Sequence, residues 1–131
     1  MNQKKRVHTE RIAIRWGDMD AMGHVNNTVY FRYMEQARIA WFESLVPRAD
    51  AWGAISIVIV NASCNFRRPI NYPGTVEVGV FAGGPGGSSV QTFYELKVEQ
   101  QLYADGAATV VFVDRSQKPL RIPETIRALI P

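Results

Sequence analysis

The sequence predicts an α+β domain in which one antiparallel sheet folds onto one long helix. Three observations carry that expectation: a stripe of apolar residues at helical spacing near the start, segments of period-two alternation before and after it, and no second long helical pattern. The chain has 131 residues, 47% of them hydrophobic and 21% charged, enough for one domain with its own core. No repeat or linker divides it, so residues 1–131 are expected to form a single domain.

The first strand falls on "RIAIRW", where Ile12, Ile14 and Trp16 share one face and Arg11, Ala13 and Arg15 the other, the alternation of a half-buried strand. From Asn26 to about Leu45, the residues Tyr30, Tyr33, Met34, Ala37, Trp41 and Leu45 recur at spacings of three and four. That is the stripe of an amphipathic helix of about five turns, with Arg32, Gln36, Arg38 and Glu43 largely off it and Pro47 expected to end it. "AISIVIVNASCNF" is β-branched and begins as a continuous apolar run, which predicts a strand buried on both faces at first. "TVEVGVF" turns Val76, Val78 and Val80 inward. "GGPGGSS", Gly83 to Ser89, is a turn longer than a two-residue hairpin. Two more strands lie in "VQTFYELKVEQQLY" and "AATVVFVD", with a hairpin expected at Ala104-Asp105-Gly106 from its Asp-Gly pair. "IPETIRALI" closes the chain as a short helix with Pro123 near its first position. A helix and a sheet in this order bury their apolar faces against each other. The surface left over predicts oligomerisation.

Fifteen Lys and Arg against twelve Asp and Glu give a net charge of +3, which suits an anionic small ligand as well as it suits nucleic acid. The basic residues are scattered and no aromatic-basic RNA motif is present, so nucleic acid is not expected as a partner. Cys64 is the single cysteine; it excludes an internal disulfide and reads as a small buried hydrophobe. The start of the chain lacks the apolar run of a secretory signal and no segment reaches transmembrane length, so the expected location is the cytoplasm, away from membranes. His8 and His24 have no supporting ligand cluster, and neither metal nor cofactor is expected. Ser63 and Ser89 lack a Gly-x-Ser-x-Gly elbow, and the glycine-rich turn lacks the Lys of a phosphate loop.

Chemistry concentrates in "RWGDMDAMGHVNN", residues 15 to 27, between the first strand and the helix. Asp18 or Asn26 reads as a helix cap, because free N–H groups and the positive end of the dipole favour acceptors there. Asp20 is different: it is followed by Gly23, which permits a tight backbone path, and then by a helix start whose amides can stabilise an oxyanion. A carboxylate beside such amides is the minimum equipment for hydrolysing an activated acyl group. His24 admits two roles, orienting water or the Asp20 carboxylate, or holding the loop through backbone hydrogen bonds. Glu35, two turns into the helix, reads as a solvated or salt-bridged residue.

"WGDMDAMGHVNNTVYFRYMEQAR", with "NFRRPINYPGTVEV" and "VDRSQKPLRIPE" downstream, resembles the 4-hydroxybenzoyl-CoA thioesterase-like branch of the hotdog-fold acyl-CoA thioesterases. The resemblance runs from about Arg6 to about Ile126. It implies a hotdog fold, a long central helix wrapped by a five-stranded antiparallel sheet, paired into a homodimer or a homotetramer with active sites at the dimer interface. It implies an acyl-CoA substrate, Asp20 as nucleophile or general base, and the backbone amide of Asn27 as oxyanion donor. His24, Val25, Asn26 and Asn27 replace the apolar and aromatic residues of 4-hydroxybenzoyl-specific members, which argues against that acyl group. The "GHVNN" run is also similar to that of plant acyl-acyl-carrier-protein thioesterases, so the carrier stays open.

Gly23 and Asn26 are expected to contact substrate around the helix start. Arg67 and Arg68 are candidates for the phosphates of coenzyme A, since guanidinium groups pair phosphate bidentately; Arg115, Lys118 and Arg121 form a second basic cluster. Two alternatives to an acyl-CoA hydrolase remain at this point: a carrier-protein thioesterase, and a module that binds acyl thioesters without turnover.

Overall fold

The computed structural model describes residues 4–46 and 53–131. Its first strand, β1 (Lys4–Ala13), starts well before the alternation of Arg11 to Trp16 and ends inside it. The early half was invisible as a strand because it is polar. β1 is a sheet edge, where charged side chains face water and discourage further pairing. It runs antiparallel to β3 (Thr75–Gly83), from Lys4 opposite Gly83 to Ala13 opposite Thr75. Trp16, expected on the inner face, is instead 75% exposed in a 3₁₀ turn over Trp16–Asp18. The strand has already ended there, so a period of two no longer decides which way position 16 faces.

Asn26 caps α1 (Asn27–Leu45), its side-chain oxygen accepting from the Thr28 N–H at 2.9 Å. Tyr30, Tyr33, Met34, Ala37 and Trp41 are buried as the stripe predicts. Arg38 corrects it: expected off the stripe, it is only 8% exposed. Position 38 lies four residues after Met34 and three before Trp41, on the same helix face. Its charge was the sole reason to place it outside. Pro47 lies outside the described residues.

The remaining strands are β2 (Ser56–Phe66), β4 (Ser89–Val98) and β5 (Gln101–Val113). They complete a five-stranded antiparallel sheet in the order β1-β3-β4-β5-β2. The link through α1 carries the chain from one edge strand to the other, which is how a helix comes to lie across the sheet. Val76, Val78 and Val80 face inward and are fully buried, with Val90, Tyr94, Leu96, Val110 and Phe112 beside them. Ile122, Ile126 and Ile130 seal one end of this core. Between them, the short helix α2 (Glu124–Arg127) is preceded by Pro123 at the cap position rather than inside the first turn.

Two strand expectations need correcting. β2, expected buried on both faces, is the second edge strand, with Val58, Ile59, Val60 and Phe66 exposed. An apolar run records that a surface must be covered, not that the same chain covers it. The hairpin expected at Ala104-Asp105-Gly106 is absent: β5 runs straight through, pairing Asp105 with both Glu95 and Asn65. The reversal is at Glu99–Gln100, both at positive φ (50° and 71°), as a two-residue primed turn requires, although neither residue type advertises it. Gly106 serves packing instead. A Cβ there would lie 2.6 Å from the Ser63 carbonyl oxygen and 2.5 Å from Met34 Sδ, so its absence lets α1 settle onto the sheet. Among the described residues no helix is long and apolar enough to cross a membrane.

Candidate active site

After the 3₁₀ turn the chain doubles back in a miniature hairpin, with Met19 bridged to Val25. The Asp20 N–H donates to the His24 carbonyl at 2.9 Å and the Gly23 N–H to the Asp20 carbonyl at 3.0 Å. Gly23 closes this turn at φ +83°, a left-handed conformation that glycine adopts without a Cβ penalty. Buried Val25 pegs the loop to the core, and its N–H donates to the Ile70 carbonyl at 2.8 Å. The Asn26 N–H returns to the Asp18 carbonyl at 2.9 Å. The helix start and the loop are therefore one hydrogen-bonded unit.

The two aspartates of this unit have separate surroundings. Asp18 is 7% exposed; its carboxylate accepts from the Arg15 N–H at 2.9 Å and from the Tyr33 hydroxyl at 2.8 Å. Burial first, and then the bond to Asp18, push the Tyr33 phenol well above its usual pKa. Asp18 thus fastens the 3₁₀ turn to α1, while the cap itself is Asn26. Asp20 is partly exposed. Its Oδ1 accepts from the Met22 N–H at 2.9 Å and its Oδ2 from Asn26 Nδ2 at 3.0 Å. Asn26 therefore does two things at once, capping α1 with its oxygen and holding Asp20 with its nitrogen. The next amide, that of Asn27 at the first helical position, donates to no group among the described residues. It projects at the positive end of the α1 dipole.

His24 touches the Asp20 unit only through its main chain. Its ring Nδ1 lies 2.9 Å from the side-chain amide of Asn71, whose nitrogen, oriented toward the ring, also comes within 3.2 Å of the Gly23 and Ile70 carbonyls. Asn71, which the sequence did not single out, thereby ties the segment after β2 to the tip of the loop. Tyr30 ties it to the helix: its hydroxyl donates to the Arg68 carbonyl at 3.2 Å and accepts the Ile70 N–H at 3.0 Å.

His24, Asn27, Tyr30, Phe66, Arg67 and Arg68 wall a cleft of about 270 Å³. Asp20 stands beside this cleft, not in its wall. Arg67 is ion-paired through Nε with Asp105, which also accepts from Asn65 Nδ2; Arg67 and then Asn65 hold the Asp105 carboxyl below its usual range. Arg68 makes one side-chain bond, from Nη1 to Gln101 Oε1 at 3.1 Å, and keeps its other donors free among the described residues. Arg115, Lys118 and Arg121 follow the far end of β5. They are roughly 30 Å from Ala104 by strand length and cannot share a ligand with Arg68 in one protomer. Glu35 is half exposed and pairs with Arg32 at 3.3 Å. Cys64 faces α1, and burial, with the charge of Asp105 behind it, pushes its thiol up to about 11. His8 lies on β1, 2.7 Å from Glu10. Among the described residues no three His, Cys, Asp or Glu converge as a metal-holding set.

One long helix laid across a five-stranded antiparallel sheet, with its N-terminus open beside a polar loop, is the hotdog architecture of thioester hydrolases. The profile of the thioesterase-like superfamily matches residues 14–130, and the chain belongs to that superfamily. It is 28% identical over 123 residues to the long-chain acyl-CoA thioesterase FadM of Escherichia coli, covering 89% of this chain and 92% of that one. A match to the uncharacterized protein YsmA of Bacillus subtilis, 25% identical over 84 residues, spans 64% of this chain and 56% of that protein. Among solved structures, the PA2801 protein of Pseudomonas aeruginosa superimposes with a TM-score of 0.87 at 38% identity, covering 95% of this chain and 98% of its own. A thioesterase of Thermus thermophilus complexed with coenzyme A and zinc gives 0.83 at 31%, covering 95% and 91%.

Proposed function

We propose that the protein hydrolyses acyl-CoA thioesters to the free acid and coenzyme A, with Asp20 and the Asn27 amide as its working groups. The observation that carries this is local. A carboxylate oriented by the Met22 N–H and Asn26 Nδ2 is tied to the residue just before a helix-start amide that has no acceptor among the described residues. The substrate carbonyl oxygen accepts from the Asn27 N–H, where the dipole and the fixed donor stabilise the charge that develops on it. Asp20 then either takes the proton from a water that attacks the carbonyl carbon, or attacks that carbon itself and is released by water afterwards. Both routes expel the thiolate, a good leaving group that asks only modest activation of the carbonyl. Coenzyme A as carrier is supported by the Escherichia coli relative, an acyl-CoA thioesterase, and by the Thermus thermophilus structure with coenzyme A bound. In the cleft, Arg68 is the better placed for a phosphate, because Arg67 is committed to Asp105.

Two protomers assemble, in this proposal, through β2. That strand offers an unpaired edge with Val58, Ile59 and Val60 exposed, a template for antiparallel extension of the sheet. The cleft lies between α1 and the end of β2, so a partner docked on that edge would close it and bring a wall opposite Asp20.

Free-thiol release from short, medium, long and aromatic acyl-CoAs tests the reaction, with Asp20→Asn beside the wild type. The expected result is turnover of some member and a loss of at least about a hundredfold in a folded variant. A variant that keeps the wild-type rate would remove Asp20 from the mechanism. Stabilisation by acyl-CoA without thiol release in either protein would point to a binding module or to a carrier-protein substrate.

A further inference from the structure

Among the described residues three polar side chains are buried: Asp18, Thr92 and Arg38. Asp18 is fully engaged in its turn, and Thr92 belongs to the surroundings of Arg38. The Arg38 guanidinium has one hydrogen bond, from Nη1 to the Tyr94 hydroxyl at 3.1 Å, with the Tyr94 ring 5.8 Å away. The bonds beyond it have only one consistent direction. Thr92 donates to the Ala108 carbonyl at 2.8 Å, so Tyr94 donates to Thr92 at 2.6 Å and accepts from Arg38. This relay holds the guanidinium in place but supplies no counter-charge. Arg38 has no ion pair among the described residues, and its Nε is buried without a partner. Glu35, the nearest acid along the helix face, is paired with Arg32.

A buried cation without a counter-charge is strongly disfavoured, and a methionine of similar length would fill the same space. Packing does not explain a charge here. The guanidinium does, however, face space: a cavity of about 290 Å³ runs along α1 from Thr28 to Arg38, with Phe31, Met34, Ile59 and Ala62 as apolar wall and the Arg32–Glu35 ion pair as its other charged lining. Its near end is at Thr28, the residue after Asn27. Arg38 is eleven positions along the helix, about 16 Å at the helical rise, and its side chain tilts back toward the N-terminus. An extended chain starting at the Asn27 amide therefore meets the guanidinium after about eight to twelve bonds, each advancing about 1.2 Å as in an extended backbone.

We infer that the acyl group accepted by this protein is a medium-length chain with a carboxylate at its far end, which pairs with Arg38. The inference rests on the proposed site at Asp20 and Asn27, which sets where the chain begins. A largely apolar channel in which Arg32 and Glu35 neutralise each other and Arg38 is the one buried cation without a counter-charge among the described residues selects in two ways. It excludes water from the methylene groups, and it rejects a plain methyl terminus that would leave the guanidinium desolvated and unpaired.

The test uses wild type, Arg38→Met and Arg38→Lys with two readouts. The first is kcat/KM for thiol release from straight-chain acyl-CoAs of about eight to twelve carbons and from their ω-carboxy counterparts. The second is calorimetric binding of dodecanedioate against dodecanoate. Wild type is expected to favour the carboxylated probe by about tenfold or more in both. Arg38→Met should bring the ratio near one, and Arg38→Lys should keep part of it. Tyr94→Phe, which removes only the hydroxyl that orients the guanidinium, provides a milder variant should Arg38→Met not fold, and should lower the ratio a few-fold. A wild type that favours plain chains in both readouts overturns the inference, as does an Arg38→Met protein that keeps the preference. So does an Arg38→Met protein whose association state changes while its chain preference does not, since the guanidinium then serves a partner subunit. If no thioester is turned over but dodecanedioate binding still depends on Arg38, the hydrolase proposal fails and this one stands. Turnover without any preference for the carboxylate overturns this one and leaves the hydrolase proposal in place.

Discussion

Asp18 and Asp20 are the same residue type, two positions apart in one connection, and the fold treats them in opposite ways. Asp18 is sealed under the 3₁₀ turn, its carboxylate committed to Tyr33 and the Arg15 amide. Asp20 is held just as firmly, by the Met22 amide and Asn26, yet from one side only and partly open to solvent. A carboxylate that only accepts internal bonds stabilises; one that is oriented and still accessible can react. The contrast teaches that the side chain two residues away from a proposed catalytic acid can be part of its foundation, and that proximity in sequence says little about which is which.

Exchanging the aspartates one at a time should separate their roles. The largest effect is on chemistry: Asp20→Asn is expected to lose at least about a hundredfold in thiol release, or about 2.7 kcal/mol in the barrier, while its melting curve stays close to wild type. A melting point lowered as far as that of an Asp18 variant would erase the distinction. Next comes stability. Asp18→Ala removes the acceptor of a buried Tyr33 hydroxyl and is expected to cost about 2 kcal/mol in denaturant unfolding, with turnover per folded molecule within about threefold of wild type. An unchanged unfolding midpoint would mean that Asp18 is not a structural anchor.

Smaller effects sharpen the same contrast. Gly23→Ala has open space for its Cβ but a backbone at φ +83°, so its expected cost is the conformational strain alone, about 1 kcal/mol. Because Gly23 closes the Asp20 turn and leaves Asp18 untouched, turnover should fall further than stability. Equal losses would make the turn merely structural. The smallest effect belongs to a third carboxylate, Asp105, whose pKa is lowered mainly by Arg67. A lowered folded pKa contributes stability above the unfolded value and loses it as pH falls through the folded one. Asp105→Asn should therefore lessen acid sensitivity below about pH 4, by only about 0.3 kcal/mol because the pair is solvent-screened. Acid titrations of wild type and variant by circular dichroism measure the difference. A large shift would show that the pair is far better shielded than its exposure indicates.

Much of the fold was legible beforehand. The α1 stripe, the Asn26 start, the inward Val76, Val78 and Val80, and the order of one strand, one helix and four strands all follow from local periodicity. The candidate site was legible in part: its proposed residues Asp20, Gly23 and Asn27 lie within one short stretch of the sequence, whereas Asn71 and Tyr30 reach that loop from elsewhere in the chain. Trp16 and Asp105-Gly106 misled for related reasons. An alternation does not announce where a strand stops, and an Asp-Gly pair fits a turn as well as it fits a close crossing under a helix.

By itself, then, the sequence determined the element types, the inward face of β3 and most of that of α1, and the concentration of acid, glycine and asparagine ahead of the helix. Each of these depends on residues within a few positions of one another. The tertiary structure alone decided that Asp18 lies under Tyr33, that Arg38 is enclosed against Tyr94, that Gly106 meets Met34, and that the most apolar strand is an edge. In each case the deciding neighbour comes from another element. A local pattern records how much apolar or polar surface a residue carries; what stands across from it is fixed only when the sheet and the helix are assembled.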